Sequence, residues 1–113
     1  TRDEKAQADY TRDLLTAWFA HPKTSGFTMW GFWEGSHWKP DGAMYRKDWT
    51  PKPNAKVWDE LVTKKWWTKA SLKTDATGRA RFRGFFGDYV VKVGGRTVQA
   101  KFDADGRTLR VAL

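Results

Sequence analysis

The apolar positions of the first twenty residues repeat at the spacing of an amphipathic helix. They predict a helix from about Asp3 to Ala20 with a buried stripe formed by Ala6, Tyr10, Leu14 and Trp18, widened by Leu15 and Phe19. Thr1 and Glu4 have the spacing of a capping box. Pro22 ends the helix, because the residue before a proline is pushed out of helical geometry. We therefore expect Tyr10 and Trp18 to pack in the core.

Residues 26–34 (Gly-Phe-Thr-Met-Trp-Gly-Phe-Trp-Glu) are apolar on both alternating faces. Such a run predicts a strand covered on both sides, which is typical of a parallel sheet under helices. A loop rich in Gly, Pro and Asp follows, and a short connecting element begins at Ala43. Pro53 suits the first turn of a second helix that ends near Trp67. A strand between two helices predicts an αβα portion of an α/β fold in residues 1–67, one that needs strands the chain does not contain.

From Ala70 onward the pattern changes to a period of two. Alternating runs predict strands over residues 79–86, 89–93, 97–102 and 108–113. Turn sequences separate them, and Gly94-Gly95 suits a two-residue hairpin. Residues 68–113 are therefore expected to form a small antiparallel β-sheet or sandwich unit, which is marginal in size for independent stability.

Composition and charge narrow the possible ligands. The chain has a net charge of +8, eight Trp and no Cys. All eight Trp lie in residues 1–68, where 11 Lys and Arg face 9 Asp and Glu, whereas residues 69–113 carry 10 basic and 4 acidic residues. Aromatic and basic side chains are thus segregated, and a nucleic-acid groove needs them together, so we expect no nucleic-acid partner.

Other classes of site are disfavoured on simple grounds. Without Cys there is neither a disulfide framework nor a thiolate metal site, and we expect no metal or cofactor. No apolar run reaches the 18 residues of a membrane span, so no membrane partner is expected. The charged start at Thr1, without Met, suggests a segment trimmed from a longer protein.

Two segments resemble a known enzyme family. Residues 30–38 (Trp-Gly-Phe-Trp-Glu-Gly-Ser-His-Trp) resemble the last barrel strand and following loop of family 10 glycoside hydrolases, the endo-1,4-β-xylanases. Residues 44–53 (Met-Tyr-Arg-Lys-Asp-Trp-Thr-Pro-Lys-Pro) are similar to the segment before that family's final helix. The resemblance implies that residues 1–67 are the last αβα portion of an incomplete (β/α)₈ barrel, whose active site lies at the carboxyl ends of the strands.

The resemblance also implies which residues contact sugar. Trp30 and Trp38 would wall the sugar subsites, with Trp33 and Glu34 as further substrate-binding candidates. Glu34 has an alternative structural role, as a partner of Lys39. His37, a lone histidine, is expected to be simply exposed.

The same resemblance implies that no catalytic residue lies in this chain. A retaining glycosidase needs two carboxyl groups about 5–5.5 Å apart. In the family these come from the fourth and seventh strands, which would precede Thr1. We therefore expect a C-terminal fragment, inactive alone, of a secreted or periplasmic endo-1,4-β-xylanase that hydrolyses xylan with retention. Residues 74–91 resemble both a short β appendage of some family members and transthyretin-like modules.

Two alternatives remain open at this point. The chain could be a stand-alone carbohydrate-binding module that binds xylan or xylo-oligosaccharides through its tryptophans. A third reading is a polyanion-binding β unit that uses four basic side chains, Arg79, Arg81, Arg83 and Arg110. An incomplete barrel would also expose apolar side chains to water, so self-association is expected as well.

Overall fold

The computed structural model describes residues 2–113 and contains two helices and one two-stranded antiparallel sheet. The first helix, α1, comprises Glu4–Ala20. The second, α2, comprises Pro53–Trp58 and continues as a π-helical segment, Asp59–Lys65. The strands are β1 (Gly87–Val93) and β2 (Arg96–Phe102). The chain divides into two compact units, one ending at Trp67 and one beginning at Thr68.

The start of α1 is stabilised by a side-chain cap. Asp3 Oδ1 accepts a hydrogen bond from the Ala6 N–H at 3.0 Å, which satisfies one of the free amide groups of the first turn. Thr1, the first residue of the predicted capping box, lies outside the described residues. The helix ends at Ala20, two residues before Pro22. Its bounds agree with the predicted helix from about Asp3 to Ala20, and that prediction is confirmed.

The second helix changes its hydrogen-bond pattern along its length. Pro53 occupies its first turn, as predicted, where the missing N–H costs no intrahelical hydrogen bond. The Trp66 N–H donates to the Leu61 carbonyl five residues earlier, at 2.8 Å, which is the spacing of a π-helix. Trp66 also stacks on Phe19 of α1, with ring centroids 4.1 Å apart and planes 10° apart.

The core of the first unit lies between α1 and α2. It consists of four buried side chains, Ala8, Leu15, Val57 and Leu61, with Phe27, Trp58 and Trp66 packed against them. The predicted stripe on α1 is wrong in part, because the buried residues are Ala8, Thr11 and Leu15, while Tyr10 is 68% exposed. The first helix packs closely against α2, and three of its aromatic side chains, Tyr10, Trp18 and Phe19, remain 68%, 42% and 45% exposed.

The predicted strand over residues 26–34 does not form. Trp33 makes a single isolated bridge with Tyr45, and Tyr45 makes another with Pro51. The Phe32 carbonyl accepts from the Met44 N–H at 2.9 Å, and the Glu34 N–H donates to the Tyr45 carbonyl at 2.9 Å. These local contacts use the backbone groups that a ladder would need. The prediction of an αβα portion of a (β/α)₈ barrel is therefore wrong, since the described residues contain no parallel sheet.

The second unit is a single β-hairpin with an aromatic cluster on one face. The strands pair in antiparallel register from Gly87 opposite Phe102 to Val93 opposite Arg96. Gly94 and Gly95 turn the chain with φ of 54° and 75°, which confirms the predicted two-residue turn. The strands predicted over residues 79–86 and 108–113 are absent; instead, the Phe82 ring packs on Phe102 at 5.7 Å. The predicted four-stranded sheet is thus reduced to two strands.

Two features are absent from residues 2–113. Neither helix is long and apolar enough to cross a lipid bilayer. The same residues contain no group of three or more His, Asp or Glu side chains arranged to hold a metal ion.

Candidate functional site

Two tryptophans project from the loop of residues 30–39, which we name the tryptophan loop. Trp30 is 86% exposed and Trp38 is 76% exposed. Both line an open cleft of about 680 Å³, together with Gly31, Ser36 and His37. Large aromatic side chains that lie together on a surface mark ligand or partner sites more often than chance exposure does. The structure thus brings together two of the four predicted substrate-binding residues.

His37 joins the two ends of the tryptophan loop. Its Nδ1 accepts a hydrogen bond from the Lys39 N–H at 2.9 Å, and its Nε2 lies 2.8 Å from the Trp30 carbonyl oxygen. A nitrogen that accepts carries no proton, so Nε2 must carry the proton and donate it to Trp30. The prediction that His37 is simply exposed is wrong, since both ring nitrogens bind backbone.

Two glycines make room for the His37 ring. Gly31 has φ of 72°, a left-handed conformation that side chains disfavour. A Cβ atom added to Gly31 would lie 2.7 Å from His37 Cδ2, closer than carbon atoms pack. Gly42 borders the other edge of the ring, where an added Cβ would lie 3.5 Å from His37 Cε1, an ordinary contact. The ring is therefore held tightly on the Gly31 side and loosely on the Gly42 side.

Trp33 lies in a separate aromatic cluster. Its ring stacks on Trp49 with centroids 5.3 Å apart and planes 10° apart, and its Nε1–H donates to the Lys47 carbonyl at 3.2 Å. Phe32 and Tyr45 pack around the same Trp49 ring, at 6.2 and 6.3 Å. One face of Trp33 is covered by this stacking, which leaves Trp30 and Trp38 as the freely presented indoles of the loop.

Glu34 is bound by a buried lysine. Its Oε1 lies 3.0 Å from Lys52 Nζ, and its Oε2 accepts from the Lys47 N–H at 3.2 Å. The Lys52 side chain is only 4% exposed, and its Nζ also donates to the Pro40 carbonyl at 3.1 Å. The hydrogen bond from Lys52 holds the pKa of Glu34 below its usual value. The partner of Glu34 is thus Lys52, where the sequence suggested Lys39.

Lys39 instead lies beside the cleft. Its Nζ is 5.0 Å from the centroid of the Trp38 ring, within the range of a cation–π contact. An ammonium group over one face of the indole leaves the other face for a ligand.

Three side chains attach this region to α1 and thereby fix its backbone. Gln7 Nε2 donates to the Asp41 carbonyl at 3.0 Å. Arg46 Nη2 donates to both carboxylate oxygens of Glu4, at 2.8 and 2.7 Å, in a charge-assisted contact. The segment that directly follows the tryptophan loop is therefore connected to α1 by directed hydrogen bonds.

Two carboxylates, one within the tryptophan loop and one shortly after it, each face a cation. An ionised Glu34, neutralised by Lys52, cannot donate a proton as a general acid. Asp41 Oδ2 lies 3.5 Å from Arg2 Nε, so this second nearby carboxylate also faces a cation. The two indoles, by contrast, offer flat apolar faces suited to stacking.

Comparison with known proteins gives partial matches. No protein-family model matches the chain. The chain is 37% identical over 94 residues to an anti-sigma-I factor of Acetivibrio thermocellus, covering 82% of this chain and 12% of that protein. It is also 29% and 28% identical over 91 residues to endo-1,4-beta-xylanases 1 and 2 of Arabidopsis thaliana, covering 80% of this chain and 10% and 8% of those enzymes.

The chain therefore spans about a tenth of the length of the relatives it matches. The matches support a relationship between this chain and a segment of xylanases, and they do not establish membership of family 10. The higher identity is to a protein named as an anti-sigma factor.

Two residues of the site escaped prediction from the sequence. His37 was dismissed as a loop histidine, although the glycines at 31 and 42 are a signal for a ring packed closely on backbone. Lys52 lies between two prolines, and nothing in its sequence neighbourhood marks it as buried. Its burial depends on residues 34 and 40 folding back over it, which is a tertiary effect.

Proposed function

We propose that this chain is a non-catalytic, sugar-contacting segment of a xylan-degrading protein. Trp30 and Trp38 are the residues that contact xylan or xylo-oligosaccharides. The observation that carries the proposal is the exposure of two indoles, 86% and 76%, on one cleft whose backbone is held by directed hydrogen bonds.

The energetics of the exposed indoles support a ligand. Each indole left in water forgoes roughly 25 cal/mol of stabilisation per Å² of apolar surface that it could have buried. A sugar ring placed on an indole covers this surface and meets a flat face suited to its C–H groups. Because His37 and the Arg46–Glu4 pair already fix the backbone, binding orders few additional groups.

The similarities support xylan as the ligand class. Two of the relatives are named as endo-1,4-beta-xylanases, whereas a third is named as an anti-sigma-I factor. A surface that binds a polysaccharide without cutting it accounts for the presence of one segment in both kinds of protein. In this proposal, retaining hydrolysis belongs to other parts of a xylan-degrading protein. Because the polymer lies outside the cell, that protein is secreted or periplasmic.

Tryptophan fluorescence and calorimetric titration with xylohexaose test the proposal. Trp30→Ala and Trp38→Ala should each weaken binding at least about tenfold, since truncating an aromatic anchor costs on the order of 2 kcal/mol. Trp67→Ala is the matched control, because Trp67 is 63% exposed but does not line the cleft. Its affinity should equal that of the unsubstituted chain.

Three outcomes separate the proposal from its alternatives. No response of the unsubstituted chain at millimolar xylohexaose would overturn it. Micromolar affinity in the isolated chain would show that the segment acts as a stand-alone carbohydrate-binding module. Retention on heparin that falls steeply with salt and is lost in an Arg79/Arg81/Arg83/Arg110→Ala variant, without sugar binding, would support the polyanion reading.

A further inference from the structure

The tryptophan loop has little regular structure to fix it. Its described backbone hydrogen bonds include one from the Ser36 N–H to the Trp33 carbonyl, at 3.2 Å. Gly42 donates to the Lys39 carbonyl at 2.8 Å, where a short 3₁₀ turn begins. These bonds define local turns, but neither connects the segment that carries Trp30 to the segment that carries Trp38.

The imidazole of His37 supplies that connection. One ring nitrogen binds the carbonyl of Trp30 itself, and the other binds the N–H of Lys39, the residue directly after Trp38. The ring is a rigid plane, so the two bonds fix the distance and the angle between the backbone segments that bear the two indoles. The backbone of Gly31 lies against the ring edge, and a Cβ there would displace it.

We propose that His37 is a positioning residue for the sugar-contacting surface. In the neutral tautomer with the proton on Nε2, it holds Trp30 and Trp38 at the same cleft before any sugar arrives. This inference rests on the proposed function, since positioning matters for affinity only if the two indoles contact sugar. The benefit is preorganisation, because a loop ordered in advance pays less of the ordering cost on binding.

Three substitutions of His37 test the two hydrogen bonds of its ring separately and together. His37→Ala removes both. His37→Asn retains an acceptor two residues before the Lys39 N–H but does not reach the Trp30 carbonyl. His37→Gln carries a longer amide that donates to the Trp30 carbonyl but offers no acceptor at the Nδ1 position.

Xylohexaose affinity gives the first readout. His37→Ala should weaken binding by about tenfold, and His37→Asn and His37→Gln by about threefold each. A threefold change in affinity corresponds to about 0.65 kcal/mol, which lies within the range of about 0.5–1.5 kcal/mol that one hydrogen bond contributes. The matched control is His21→Ala, because His21 Nδ1 also accepts from an N–H two residues on, that of Lys23 at 3.2 Å. His21 lies at the end of α1, outside the cleft, so its replacement should leave affinity unchanged.

Two measurements without sugar give the second readout. The ¹⁵N shifts of His37 should show an unprotonated Nδ1 and a protonated Nε2 at neutral pH. Exchange of the Lys39 amide proton should be slow in the unsubstituted chain and in His37→Asn, and faster in His37→Ala and His37→Gln. A merely space-filling ring would not produce this ordering.

The outcomes distinguish this inference from the proposed function. If the unsubstituted chain binds no sugar, the proposed function is wrong. The role of His37 in fixing the loop would then be tested by the ¹⁵N shifts of its ring and by the exchange rate of the Lys39 amide proton. If the unsubstituted chain binds and His37→Ala binds within twofold of it, the positioning role is wrong. A proton on Nδ1 would also overturn it.

Discussion

Gly31→Ala is the substitution whose effect follows most directly from the geometry. At φ of 72° the added methyl group meets the backbone of its own residue, which costs about 1–2 kcal/mol. The same methyl group lies 2.7 Å from His37 Cδ2, so the ring must move. If the ring leaves both of its backbone partners, a further loss of roughly 1–3 kcal/mol follows, since each hydrogen bond contributes about 0.5–1.5 kcal/mol.

Urea unfolding followed by tryptophan emission measures this effect. We expect a lower midpoint at unchanged slope, and a melting temperature lower by about 4–8 °C for each kcal/mol lost in a unit of this size. The Lys39 amide should exchange faster, because its acceptor on His37 is displaced. Xylohexaose affinity should fall by about as much as in His37→Ala.

Gly42→Ala is the matched control. It places a methyl group on the opposite edge of the same ring, at 3.5 Å from Cε1, and Gly42 has no left-handed backbone. Its stability should therefore change by less than about 0.5 kcal/mol. The close contact between Gly31 and the His37 ring would be contradicted if Gly31→Ala kept the stability and the Lys39 amide exchange rate of the unsubstituted chain. Equal losses of stability in Gly31→Ala and Gly42→Ala would contradict it as well.

Three further substitutions test the core, an ion pair and the hairpin. Leu61→Ala should lower the free energy of unfolding by about 2–4 kcal/mol in urea, because the side chain is only 2% exposed, whereas Leu14→Ala, at 36% exposure, should cost clearly less. Glu34→Gln should be less stable than the unsubstituted chain at neutral pH. The folded-state pKa of Glu34 is lowered, so the ion pair stabilises the fold above the unfolded-state pKa near 4.3, and this stabilisation is lost as the pH falls through the folded-state pKa. The urea midpoints of Glu34→Gln and of the unsubstituted chain should therefore converge on acidification. A constant difference between the two midpoints from pH 7 to pH 3 would contradict this expectation. Tyr89→Phe removes the hydrogen bond from its hydroxyl to the Phe85 carbonyl, 2.5 Å long, and should destabilise the hairpin by about 1 kcal/mol in thermal unfolding followed by circular dichroism.

Local signals in the sequence predicted the elements that depend on local interactions. The bounds of α1 follow from the helical spacing and the proline stop, and the hairpin turn follows from two adjacent glycines that tolerate positive φ. Both depend on residues close in sequence. They could therefore be inferred without knowing what the chain packs against.

The segment of residues 26–34 shows where such inference stops. Its apolar character on both faces is real, but a strand also requires a partner for its backbone groups. In the structure the Phe32 carbonyl and the Glu34 N–H bond to Met44 and Tyr45, and the Phe32 ring packs on Tyr45 instead of on a sheet. Side-chain patterning alone does not distinguish these two arrangements.

The candidate site was predictable in part for a similar reason. The spacing of Trp30 and Trp38 carried the resemblance to a sugar-binding loop, and both line one cleft. Glu34 pairs with Lys52, which lies 18 residues later in the sequence, and no periodic pattern of side chains predicts that contact. Tyr10 was misplaced because α1 is apolar over more of its surface than α2 covers.

The π-helical segment Asp59–Lys65 has a consequence for how related chains should be compared. Each of its turns spans one residue more than an α-helical turn, so the segment accommodates an inserted residue without a loop. Deleting one residue there would restore α-helical spacing and leave Trp66 close to Phe19. We therefore expect a one-residue gap between positions 59 and 65 in an alignment to mark a change from π-helix to α-helix, with the residues on either side of the gap still equivalent.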